Sequence, residues 1–67
     1  MLIGADLRGC DLAGADLLGA DLRGARVENA DLSLALYLTG PQLAAAHGNR
    51  HTRVPTGVPV PRSWPSE

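Results

Sequence analysis

The chain lacks most of what a small domain uses to hold itself together. Its 67 residues include no phenylalanine, one tyrosine, one tryptophan and one methionine, which excludes a packed aromatic core. Cys10 is the single cysteine, so an internal disulfide is excluded as well. Lysine is absent, and the net charge is −1. No field of one sign then favours nucleic acid or an anionic membrane. The halves differ: residues 1–39 carry six acids and three arginines, and residues 40–67 carry one acid and three arginines. No apolar run approaches the roughly eighteen residues of a membrane span. No secretory leader is recognisable, so a reducing, cytoplasmic setting is the expectation. Before Val54 the only proline is Pro41.

What is present is a repeat of five. From Ala5 the chain reads ADLRG, CDLAG, ADLLG, ADLRG, ARVEN, ADLSL, ALYLT, and Met1–Gly4 ends one more unit. This period fits neither common element. Five helical steps of about 100° scatter the leucines around a helix, and a glycine per unit would cost that helix about 1 kcal/mol each. On a flat strand an odd period sends successive leucines to opposite faces. The period makes sense if the chain bends once per unit. Four short sides then close a coil of twenty residues with every leucine inward, and such coils stack as a solenoid.

The A-(D/N)-L-x-x phase of residues 1–39 resembles the pentapeptide-repeat family. The resemblance implies an all-β solenoid: a right-handed quadrilateral β-helix of about two coils, with Leu and Ala as the two inward positions. The central column is then Leu2, Leu7, Leu12, Leu17, Leu22, Val27, Leu32 and Tyr37. Cys10 falls at an alanine position and reads as a small buried hydrophobe rather than a reactive thiol. These eight central residues, at roughly 1.5–3 kcal/mol each when fully buried, offset the ordering entropy only in part.

With residue n beside residue n+20, Asp6 lies beside Arg26 and Arg8 beside Glu28. Both pairs are complementary. Asp11 meets Asp31, a like pair at a solvated position. The repeated aspartates read as acceptors for turn N–H groups, not as a metal or acid–base cluster. The last units break the pattern, placing leucine at outward positions 34, 36 and 38. With Leu18, which would stack on Leu38, the outward leucines Leu34, Leu36 and Leu38 form a candidate interaction face. Either the chain's own tail or a partner chain is expected to cover it.

The tail divides in two. Thr39-Gly-Pro-Gln42 has the form of a capping box, with Leu38 and Leu43 placed as a hydrophobic staple. Pro41 is tolerated in a first helical turn, and Gly48 reads as a left-handed C-cap. This predicts a capping helix over 40–48, closing the coil edge. Residues 49–67 then read as an extended, proline-rich tail. The whole ending resembles that of many bacterial pentapeptide-repeat proteins, which implies a C-terminal cap. His47 and His51 have the i, i+4 spacing of helical metal ligands, but no third ligand is apparent. Met1 enters in mid-unit, which suggests a piece of a longer solenoid or an end that stacks on another copy.

No nucleophile–base pair, phosphate loop or metal cluster appears, so no catalytic, cofactor or metal residue is assigned. The expectation is a non-enzymatic structural or protein-interaction module, either a homodimer or bound to another protein. The alternative comes from the family: some members imitate DNA and bind DNA gyrase. A short chain with a charge of −1 is a poor imitation of duplex phosphate.

Overall fold

The computed structural model describes residues 2–65. Met1, Ser66 and Glu67, at the ends of the first and last expected segments, lie outside the described residues.

The five-residue unit folds as the spacing requires. In each L-x-G-A stretch the alanine or cysteine N–H bonds the leucine carbonyl three residues back, as from Cys10 to Leu7 at 3.1 Å and from Ala15 to Leu12 at 3.0 Å. The third residue of the turn has positive φ, the form of a type II turn. Glycine occupies it at 4, 9, 14, 19 and 24, and Asn29 takes it at 61°, a region asparagine tolerates better than most residues. The aspartate before each leucine caps the same turn. Its Oδ1 accepts the N–H two residues on, at 3.0–3.2 Å for Asp6, Asp11, Asp16, Asp21 and Asp31.

Four such turns close a coil, and coils pair in register. Asp6 bridges Arg26, Asp11 bridges Asp31, and Asp16 bridges Leu36, all parallel. The chain is a β-helix-like solenoid. Its sides are isolated bridges rather than strands, because a bend every five residues leaves too few extended residues for a named strand. The one regular element among the described residues is α1, Gly40–Ala45.

Inside, Leu17, Leu22, Val27 and Leu32 are buried with Ala25, Ala30 and Ala35, while Leu2, Leu7 and Leu12 are half-buried against them. Cys10 is half-buried.

Two positions depart from the expected register. Tyr37, expected inward, is 63% exposed, and Leu38, expected outward, is only 7% exposed. The cause is local: Tyr37 takes φ of 63° as the chain leaves the coil. That left-handed step turns the phenol out and brings Leu38 in, where α1 needs it. Leu38 and Leu43 are both buried around Thr39, and the capping box forms in both directions. Leu34 shows a related adjustment. Leucine disfavours positive φ, and this turn does not use it. Gly14 therefore bonds the Leu34 carbonyl at 2.9 Å, whereas Gly4 and Gly9 bond the residue before the corresponding corner, Arg23 and Glu28.

The tail is not an extended appendage. The helix ends at Ala45, earlier than the expected 40–48, and Ala46 is extended with φ of −97° and ψ of 170°. Gly48 lacks positive φ and is not the cap. The chain instead returns to the ladder as a partial third coil: Arg26 bridges His47 and Asp31 bridges Arg53. The offset grows from 20 to 21 to 22 residues, because the helical side and the following corner each hold one extra residue. Asn49 stands directly beyond Asn29, and the two exchange hydrogen bonds at 3.2 Å. The following residues make two hydrogen-bonded turns, Pro55–Val58 and Pro61–Trp64. They fold back so that Trp64 is buried. Pro59 meanwhile lies against Gly40.

Candidate interaction face

Side-chain groups end the ladder where backbone groups run out. Around the first coil the Ala5 carbonyl accepts the Arg26 N–H, the Cys10 carbonyl that of Asp31, and the Ala15 carbonyl that of Leu36, all at 2.8–2.9 Å. The next member would pair Ala20 with residue 41. That residue is Pro41, which has no N–H. Gln42 supplies the donor, its Nε2 reaching the carbonyls of Ala20 at 3.0 Å and Leu17 at 2.8 Å. Its Oε1 also accepts the Thr39 N–H at 2.8 Å, so one amide caps a helix and a coil. Thr52 acts similarly, donating its hydroxyl to the Val27 carbonyl at 2.9 Å while accepting the Asn49 N–H.

The tail therefore closes the end of the coil and leaves the leucine side open. Leu18 is 73% exposed, Leu34 67% and Leu36 47%. Leu34 and Leu36 lie on the second coil beside Gly14 and Asp16 of the first, and Leu18 follows on the next corner. Tyr37 adds its exposed ring. Of the four residues expected outward, Leu18, Leu34 and Leu36 are exposed and Leu38 is buried, while Tyr37, expected inward, is exposed. The sequence signal for that exchange was the capping box itself, since a staple needs its first residue buried.

The three shortest ion pairs form along the chain, and one longer pair, Arg53 to Asp31 at 3.9 Å, joins two coils. Arg8 meets Asp6 at 2.7 Å, Arg23 meets Asp21 at 2.6 Å, and Arg26 meets Glu28 at 2.7 Å. The expected neighbours Asp6 and Arg26 are paired through backbone, and Arg26 acts on Asp6 only at longer range. The Arg8 guanidinium, then its N–H, hold the Asp6 carboxyl down at about 2. Arg23 lowers Asp21, Arg26 lowers Glu28, and the Ser33 hydroxyl lowers Asp31. Water and salt screen exposed pairs of this kind, so they add little to stability.

Glu28 also borders a cleft of about 410 Å³ lined by Ala44–Gly48 and Ser63–Pro65. Its Oε2 takes Arg26, while Oε1 is buried with no hydrogen-bond partner among the described residues. Oε1 is shielded from solvent although Glu28 borders the cleft. His47 and His51 do not share a helix. His47 sits on the third coil and His51 in the next turn, where its Nε2 accepts from Arg50 at 3.3 Å. Among the described residues no group of three His, Cys, Asp or Glu could hold a metal ion, and no helix is long and apolar enough to cross a membrane.

The third coil is masked in the sequence because its inward residue, Gly48, is glycine. Ala46-His47-Gly48 repeats the Ala25-Arg26-Val27 frame, and Asn49 matches Asn29, but a six-residue step to Arg53 hides the period. No curated protein and no solved structure matches the chain. A family model for pentapeptide repeats matches residues 2–36 in eight copies. With that match and the five-residue coil in agreement, the chain belongs to the pentapeptide-repeat family.

Proposed function

We propose that this chain is a non-enzymatic interaction module that presents its leucine side to a protein partner, and that a second copy of the chain can serve as that partner. One observation carries the reading. Leu18, Leu34 and Leu36 stay exposed on one side, although Leu43, Ala46 and Trp64 are drawn in to cover the coil end. Contiguous exposed leucines of this kind mark contact surfaces. Elsewhere the surface exposes single apolar residues, Ile3 and Val60, among paired charges and turn-capping aspartates. The right-handed, four-sided winding and the bacterial source come with the family resemblance, and the cytoplasmic setting rests on the unpaired Cys10, which fits a reducing compartment.

The DNA-mimic alternative is the weaker reading. Three of the six acids in residues 1–39 are matched by adjacent arginines, so the surface offers no continuous run of negative charge. The test is light scattering on the 67-residue chain at high micromolar concentration. The parent should exceed monomer mass, and a chain with Leu34→Ser and Leu36→Ser should be monomeric with an unchanged circular dichroism spectrum. A monomeric parent, or a variant of the same mass as the parent, contradicts self-association through this face.

A further inference from the structure

Residues 54–65 pack Trp64, Val54 and Val58 on the coils but are hydrogen-bonded to them very sparsely. Their two backbone hydrogen bonds, Val58 to Pro55 and Trp64 to Pro61, lie within their own turns. Among the described residues, the one hydrogen bond from this segment to the coils is donated by the Trp64 indole N–H to the Ala46 carbonyl, at 3.0 Å. That bond has a particular place. Ala5 gives its carbonyl to the Arg26 N–H, and Ala25 gives its own to the His47 N–H. Ala46 is the next residue of the same column, so the indole stands where the backbone amide of a further coil would stand.

The ring has a fitted seat. Gly48 occupies the inward position beyond Val27, and the indole fills the space that its side chain would take. A Cβ on Gly48 would lie 2.5 Å from Cδ2 and Cε3 of Trp64. Trp64 is 6% exposed, while the chain before it is half-buried at Val54 and Val58 and exposed at Val60.

We propose that residues 54–64 form a strap that opens as one unit while the coils remain folded, with Trp64 as its latch. Opening breaks one hydrogen bond, the burial of one ring and the packing of Val54, Val58 and Pro59 on the body, and leaves every coil-to-coil bond in place. It uncovers the Ala46 carbonyl and the Gly48 position, which together are an unpaired end of the β-ladder. The strap thus controls whether that end is exposed. Segments with few hydrogen bonds to the body open locally at much lower free energy than the core.

Trp64 is the only tryptophan, so its emission reports the latch alone. In a urea titration of the 67-residue chain, the emission should shift to the red at lower urea than the far-ultraviolet circular dichroism changes. Gly48→Ala should show red-shifted, acrylamide-accessible emission without urea, with its dichroism midpoint close to that of the parent. Coincident transitions in the parent overturn the proposal. A Gly48→Ala chain whose dichroism midpoint falls with its emission, or that no longer folds, overturns it too, because the seat then belongs to the cooperative core. Amide exchange in the unaltered chain gives an independent reading. The Val58 and Trp64 amides should exchange at least about tenfold faster than those of Asp31 and Leu36, and equal protection refutes the strap.

Discussion

Truncating Tyr37 and Leu38 separately tests the slip in register at the end of the second coil. The repeat phase places Tyr37 in the core and Leu38 outside, whereas the structure has Tyr37 63% exposed and Leu38 7% exposed. Leu38→Ala removes buried methyl groups between the coil and α1, and should cost about 2–4 kcal/mol. Tyr37→Ala removes an exposed ring and should lie within about 0.5 kcal/mol of the parent. Tyr37→Gly should be neutral or stabilising by up to about 1 kcal/mol, because it relieves the left-handed φ of 63°. A domain of this length has a total stability of roughly 3–10 kcal/mol. Its urea slope lies near the lower end of the usual range, about 1 kcal/mol per molar. Leu38→Ala should then lower the midpoint by about 2 M or more, and both Tyr37 variants should leave it nearly in place. Urea unfolding followed by circular dichroism makes the measurement. A Tyr37→Ala chain less stable than Leu38→Ala would refute the reasoning and restore the unbroken register.

Gln42→Glu keeps the shape and still accepts the Thr39 N–H, but cannot donate to the Leu17 and Ala20 carbonyls. It should cost about 1–3 kcal/mol in urea unfolding, and a variant as stable as the parent would show that those carbonyls need no donor. The depressed carboxyls of Asp6, Asp21, Glu28 and Asp31 set the acid response. Since each folded value lies below the ordinary one, 3.8 for Asp and 4.5 for Glu, their contribution is complete at neutral pH and is lost as pH falls through the folded values. Stability should be level down to about pH 5 and decline below it; a chain more stable at pH 3 than at pH 7 contradicts these assignments. Leu22→Asp, at a buried central position, should unfold the chain by burying an unpaired carboxylate. A dichroism spectrum matching the parent would place Leu22 outside the core.

The parts of the fold that were legible were those in which one residue type answers one backbone need. Leucine at every fifth position gave the coil, glycine marked the left-handed turn residue, and aspartate marked its cap. Thr39 and Gln42 announced the helix. The parts that were not legible depend on exceptions to that code. Tyr37 adopts a conformation that tyrosine usually avoids, and only the staple position of Leu38 hints at it. Gly48 reads as a helix terminator, yet its missing side chain makes room for Trp64, sixteen residues away. The proline spacing of residues 54–65 suggested extended chain, while Gly57 with φ of 84° turns it back. On the candidate face, Leu18, Leu34 and Leu36 could be read as outward from the period alone. The exchange of Leu38 for Tyr37 required knowing where the chain leaves the coil.

The central claim is that the five-residue coil continues, with a growing offset, into the segment after the helix. Scalar couplings across hydrogen bonds, measured by nuclear magnetic resonance on labelled chain, report that ladder bond by bond. Couplings should join the Arg26 amide to the Ala5 carbonyl, the His47 amide to the Ala25 carbonyl, and the Arg53 amide to the Ala30 carbonyl. If the first is present and the other two are absent, the chain ends its solenoid at the helix, and the third coil described here does not exist.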